Sequence, residues 1–195
     1  MRKHVILSAL FLATLIVLGA CAPKEDITGG AMQGEEMKNE EMVKDGMEND
    51  HKAMNQGEPA PMFSLKDLNG NDVMLSDFKG EKVYVKYWAS WCSICLSGLE
   101  DLDMLAGKEN GFRVISIVTP NYKGEQSAED FTKWFNSQPY DHMTVLLDHE
   151  GVWAREFGLR GYPSSYYIGS DGILAKSSPG HVDNETITAR FEEIH

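Results

Sequence analysis

The sequence predicts an α/β domain: a central mixed sheet flanked by helices, with an N-terminal hairpin and a central helical insertion. Three observations carry this. Short β-rich runs at Val83–Trp88, Phe112–Val118 and Val145–Leu147 alternate with helical patterns, the arrangement of βαβ units around parallel strands. Asp171-Gly172 reads as a turn between Tyr166–Ile168 and Ile173–Lys176, which adds an antiparallel hairpin. The first run ends in a short aromatic turn and two cysteines, Cys92 and Cys95, followed by Leu96, Leu99, Leu102, Leu105 and Ala106 at helical spacing.

The chain begins with a leader, residues 1–20. Arg2, Lys3 and His4 form a basic start, and Val5–Leu18 is an apolar or small-residue run, short for a membrane span. It ends in Leu18-Gly19-Ala20-Cys21, which resembles a bacterial lipobox with Cys21 as the lipidated residue. A plain secretory leader with a chance cysteine is the alternative. Both readings take the protein out of the cytoplasm, and the first anchors it by lipid to the bacterial cell membrane.

Residues 21–58 read as the lipidated cysteine plus an acidic tether. Between Ala22 and Glu58, four lysines face ten acidic residues and nothing there can nucleate a core, so disorder is expected. Met32, Met37, Met42 and Met47 recur every five residues, a period of neither helix nor strand. The whole chain of 195 residues carries a net charge of −12, and no nucleic-acid partner is expected.

Pro59-Ala60-Pro61 marks the start of the folded domain, 59–195. Met62–Leu65 and Asp72–Leu75 read as short strands around the turn Asn69-Gly70-Asn71, and Leu75–Gly80 as one helical turn. A helix is predicted from Cys92 to about Lys108. Asn121–Asp141 is an insertion. In it, Ser127 is the predicted N-cap of a helix whose Phe131, Trp134 and Phe135 face the core. Val152–Phe157 is a short helix, and Asn184–Ile194 closes the chain.

The chemistry lies at Cys92 and Cys95. The spacing puts Cys92 at the N-terminal edge of its helix and Cys95 one turn in. Free backbone N–H groups and the helix dipole there favour a thiolate, which is the nucleophile. The pair is close enough to form a disulfide. A structural zinc would need four ligands, and no second Cys pair or His-x3-His follows. A purely structural disulfide across so short a loop would restrain little chain entropy. Strand, Cys-x-x-Cys, helix is a redox arrangement. No metal and no cofactor is expected.

Trp88-Ala89-Ser90-Trp91-Cys92-x-x-Cys95 resembles the active-site segment of extracytoplasmic thioredoxin-like proteins of the TlpA/ResA-like group, and the opening hairpin resembles theirs too. The resemblance implies a thioredoxin-like fold and thiol-disulfide oxidoreductase activity, with Cys92 as nucleophile and Cys95 as resolving thiol. Gly158–Pro163 resembles the loop that carries a cis-proline facing the cysteines. It implies that Pro163 is cis and that Tyr162 offers its backbone N–H and C=O to a bound peptide. Trp91, Ser93 and Ile94 complete the expected site. Over Thr119–Ser165 the chain is similar to thioredoxin modules that serve bacterial peptide methionine sulfoxide reductases. That implies a CcdA-like membrane electron donor and a peptide methionine sulfoxide reductase as acceptor.

The departures matter. Ordinary thioredoxin has a buried Asp where this chain has Lys86, and many of the group have a Glu where it has Gly98. Glu100, the nearest carboxylate in sequence, points to another face. No proton acceptor for Cys95 is therefore evident. Lys86 either lies under the site and stabilises thiolates by its charge, or runs along the surface. Ile94 replaces the proline common in Cys-Gly-Pro-Cys and restores an N–H beside Cys92. Ser93 adds a hydroxyl, and both favour the reduced form.

The alternatives are a thiol oxidase or isomerase forming disulfides in secreted proteins, a cytochrome c maturation reductase, or a non-enzymatic binding lipoprotein. The intact Trp-Cys-x-x-Cys and Tyr-Pro loop argue against the last. The patterns of a methionine sulfoxide reductase (Gly-Cys-Phe-Trp) and a peroxiredoxin (Pro-x3-Thr-x2-Cys) are both missing from the sequence.

Overall fold

The computed structural model describes residues 55–195. The leader, Cys21 and the methionine-bearing stretch of the tether lie outside the described residues. Ordered contacts reach back beyond the expected start at Pro59. Strand β1 (Glu58–Pro59) pairs with Leu174 and Ile173, and Asn55 is bonded through its backbone N–H to the Asp171 carboxylate at 2.8 Å. The Asn55 amide also donates to the His195 carbonyl at 2.8 Å. The last residues assigned to the tether therefore pack against the hairpin turn and the chain end.

Strands β2 (Ser64–Asp67) and β3 (Asp72–Met74) form the expected N-terminal hairpin, followed by a 3-10 turn at Leu75–Phe78. Strand β4 (Val83–Tyr87) leads to the cysteines. Helices α1 (Ser93–Leu96) and α2 (Leu99–Ala106), strand β5 (Arg113–Val118), helix α3 (Ala128–Phe135) and strand β6 (Thr144–Leu147) follow. Helix α4 (Val152–Glu156), the hairpin β7 (Ser164–Ile168) and β8 (Ile173–Pro179), and helix α5 (Asn184–Glu192) complete the domain.

These strands make one sheet in the order β1-β8-β7-β4-β5-β6-β2-β3. β4, β5 and β6 are parallel, while β7 runs antiparallel to β4, β8 antiparallel to β7, and β2 antiparallel to β6. The predicted mixed sheet is what forms. All five residues of β4 are buried, as a central strand covered on both faces requires.

Alternation along β4 sorts the core into two layers. Tyr84 and Trp88 face the layer that holds Cys92, Cys95, Leu99, Leu102 and Phe131. Val83, Val85 and Tyr87 face the opposite layer, with Phe63, Ala154, Phe157 and Tyr166. The insertion helix belongs to the first layer. Ser127 caps it as predicted, its hydroxyl accepting from the Asp130 N–H at 3.1 Å. Phe131, Trp134 and Phe135 bring their rings to within 5.6, 6.2 and 6.1 Å of Trp88. Burying each such ring contributes about 2–3 kcal/mol, so the insertion braces the end of β4.

One element differs from expectation. The single helix predicted from Cys92 to about Lys108 is broken between α1 and α2. Gly98 leaves helical geometry (φ −113°, ψ 9°) and becomes the N-cap of α2. Glycine is a poor helix former, and here it stands two residues after the end of α1. α1 is only four residues long, so the dipole expected behind Cys92 is that of one turn.

Candidate active site

The β4 strand delivers the cysteines. After the buried Trp88 and Ala89 the chain turns, the Cys92 N–H donating to the Ala89 carbonyl at 3.2 Å. Cys92 is the N-cap of α1 with extended backbone (φ −88°, ψ 104°), as the spacing predicted. Cys95 follows one turn in, and the pair is joined as a disulfide with Cα atoms 5.2 Å apart. Cys92 is 6% exposed and Cys95 1%, so the thiol assigned to attack is the nearer to solvent.

Around Cys92 the surface is apolar. Trp91 and Ile94 are 56% and 51% exposed, unusual for side chains of that size. Trp91 packs edge-on against Tyr162, ring centres 6.0 Å apart at 78°. The Tyr162 hydroxyl is hydrogen-bonded to Thr119 Oγ1 at the end of β5, and burial pushes its pKa up to about 12. Ser93 is exposed between the cysteines.

The Tyr162–Pro163 peptide is cis. Register places Pro163 at the mouth of the site, because Ser164 pairs with Tyr87 and the next residue outward on each strand is Pro163 and Trp88. The Pro163 carbonyl accepts from the Gly180 N–H at 2.8 Å. Among the described residues, the N–H and C=O of Tyr162 pair with no other backbone group. Tyr162 itself packs on Trp91, the residue before Cys92.

Lys86 is buried, 2% exposed, so it does not run along the surface. It lies on β4 between Tyr84 and Trp88 and on their face, the layer of the cysteines. Its cross-strand neighbours are Ser116 on β5 and Ser165 on β7. Ser165 Oγ is bonded to the Tyr84 hydroxyl at 2.7 Å, while the buried Ser116 hydroxyl has no partner. Neither ion pair among the described residues involves Lys86. Burial alone lowers its pKa from 10.5 to about 8.

One carboxylate at the site escaped the sequence reading. Glu125, in the turn of the insertion, is 6% exposed. Its Oε2 accepts from the Ser90 N–H at 2.6 Å and its Oε1 from the Ser90 hydroxyl at 2.6 Å and the Gln126 N–H at 2.9 Å. Nothing in a Lys-Gly-Glu-Gln turn signals a partner 35 residues away. Glu100 is exposed on α2, away from the cysteines, as expected.

The comparisons with known proteins bear on this geometry. The Redoxin family model matches residues 55–191. The chain belongs to the Redoxin family. An uncharacterized protein of Haemophilus influenzae is 48% identical over 130 residues, which is 66% of this chain and 83% of the relative. The thiol:disulfide interchange protein DsbE of Vibrio cholerae is 28% identical over 144 residues, covering 71% of this chain and 74% of that protein. Among solved structures, the exposed lipoprotein thioredoxin of Streptococcus pneumoniae is 39% identical. It superposes with a TM-score of 0.66 over 69% of this chain and 100% of that one.

This Redoxin-family domain therefore has the thioredoxin-like fold of the TlpA/ResA-like group and a disulfide-forming Cys-x-x-Cys. It is a thiol-disulfide oxidoreductase. Among the described residues no cluster of side chains could hold a metal, and no helix is long and apolar enough to cross a membrane.

Proposed function

We propose that the protein is an extracytoplasmic, lipid-anchored reductase that passes electrons from a CcdA-like membrane thiol carrier to a peptide methionine sulfoxide reductase. The observation that carries the reading is the wall around Cys92. Trp91 packs on Tyr162, Tyr162 bonds Thr119, and Glu125 holds Ser90, two residues before Cys92; Tyr162, Thr119 and Glu125 come from Thr119–Ser165, the segment similar to methionine-sulfoxide-reductase modules. The Leu18–Cys21 motif supports the anchor, as does 39% identity to a pneumococcal exposed lipoprotein thioredoxin.

The reaction balances on the dithiol. The Cys92 thiolate attacks a disulfide of the acceptor and one acceptor sulfur leaves as thiolate, giving a mixed disulfide. Cys95, deprotonated, attacks Cys92 Sγ and releases the second acceptor sulfur. The acceptor gains two electrons and two protons, and Cys92–Cys95 closes. The apolar collar of Trp91 and Ile94 buries against the acceptor, and the open N–H and C=O of Tyr162 pair with its backbone.

Cys92→Ser abolishes turnover, and Cys95→Ser leaves the mixed disulfide unresolved. The test expresses Cys95→Ser in the native organism and identifies the captured proteins by mass spectrometry. A methionine sulfoxide reductase joined through Cys92 is expected. Capture of apocytochrome c or of assorted secreted proteins, with no such reductase, would replace this reading with cytochrome maturation or disulfide formation.

A further inference from the structure

The resolving step needs a group to take the Cys95 proton, and the side chains near the site differ in their fitness for it. Both Glu125 oxygens are held by Ser90 and Gln126. Lys86 is a base only above about pH 8. A third group comes from the far end of the chain. The loop after β8 is tied to the site by the Gly180 N–H on the Pro163 carbonyl, at 2.8 Å. The next residue, His181, lays its imidazole against Gly98. A Cβ on Gly98 would stand 2.5 Å from His181 Cε1 and 2.8 Å from Nδ1, so the ring fills the space that a side chain at 98 would take.

That space is beside Cys95. Gly98 follows Cys95 by one turn, its N–H donating to the Cys95 carbonyl at 3.1 Å. Gly98 thus lies three residues past Cys95, at the junction between α1 and α2. A group occupying the place of the missing side chain therefore sits against the residue bonded to Cys95. The ring is held there because α5 docks on α2: the Asn184 amide donates to the Asp101 carbonyl at 2.7 Å. Asp183 on its own loop interacts with it electrostatically, and the first turn of α2, which follows Gly98, carries Glu100 and Asp101. His181 is also exposed, so it can return that proton to solvent.

We propose that His181 is the proton acceptor that frees the Cys95 thiolate in the resolving step. The proton moves from Cys95 Sγ to the imidazole as Cys95 attacks Cys92 Sγ and the acceptor sulfur departs. The imidazolium then gives its proton to that sulfur or to water. An imidazole suits this exchange near neutral pH. The role rests on the order of attack given above, Cys92 first, and not on the identity of the acceptor.

The experiment is stopped-flow mixing of the reduced protein with excess nitrobenzoate disulfide, whose thiolate product is coloured. The first phase, proportional to reagent, is attack by Cys92. The second, independent of reagent, is resolution by Cys95. His181→Ala is expected to slow the second phase by about tenfold or more at pH 7, within the range of general-base effects, and to leave the first within about twofold. Free imidazole added to His181→Ala should restore the second phase. Gly98→Ala, which must push the ring aside, should slow the second phase as well. An unchanged second phase in His181→Ala, or equal slowing of both phases, overturns the role. So does a loss that appears in Lys86→Met instead. Loss of the first phase in Cys95→Ser but not in Cys92→Ser would reverse the order of attack itself, a distinct result that overturns both.

Discussion

Glu125 grips Ser90 through both carboxylate oxygens, each at 2.6 Å, one on the backbone N–H and one on the hydroxyl. Ser90 stands two residues before Cys92. The insertion is thereby fastened to the turn that presents the nucleophile, and Gly124 beside it takes a positive φ of 86° that suits glycine.

Glu125→Ala strips the half-buried Ser90 N–H and hydroxyl of their acceptor. The expected loss is about 2–3 kcal/mol of stability, against about 1 kcal/mol for Ser90→Ala, which removes only the hydroxyl. Urea denaturation of the oxidised protein measures both. A Glu125→Ala midpoint equal to wild type would mean that the grip adds nothing to stability.

Lys86 makes stability depend on pH in a definite direction. Its folded pKa, about 8, lies below the ordinary 10.5, so the folded protein binds fewer protons than the unfolded one between those values. Stability contributed by this site therefore rises with pH across that window, and the penalty is fully present below about 8. The span corresponds to ~3 kcal/mol. In the oxidised protein Lys86→Met should be the more stable at pH 7, with its advantage shrinking as pH approaches 10. Parallel stability curves for the two proteins would refute an unpaired buried ammonium.

Trp91 is exposed yet fixed against Tyr162, which suits an anchor for a protein partner. Trp91→Ala should raise KM for a protein disulfide about tenfold and leave reaction with a small aromatic disulfide within about twofold. Steady-state and stopped-flow rates compare the two. Equal losses with both substrates would point to a damaged thiol site instead of a docking surface.

Cys21, outside the described residues, is expected to carry the lipid. Each buried CH₂ of an acyl chain contributes about 0.8 kcal/mol, so two or more chains hold the protein at the membrane. Cys21→Ala should move it to the soluble fraction, with the dithiol activity of the purified protein unchanged. Mature wild-type protein found free in the medium with an unmodified Cys21 thiol would contradict this.

What the sequence determined alone is the set of features carried by near neighbours. The Cys92/Cys95 spacing after a β-run, the Ser127 cap, the 3-10 turn at Leu75–Phe78 and the Asp171-Gly172 hairpin are each written within a few residues, because capping, turn and periodicity preferences act over that range. Even the face of Lys86 was legible, since period two puts it with Tyr84 and Trp88. Its depth was not, because a lysine stem can bend to the surface or be sealed in, and the neighbouring strands decide which. The Glu125–Ser90 grip and the seat of His181 beside α2 depended wholly on tertiary structure. Each joins segments that only the strand order brings together, and a glycine with no side chain carries no local sign of the ring that will occupy its place.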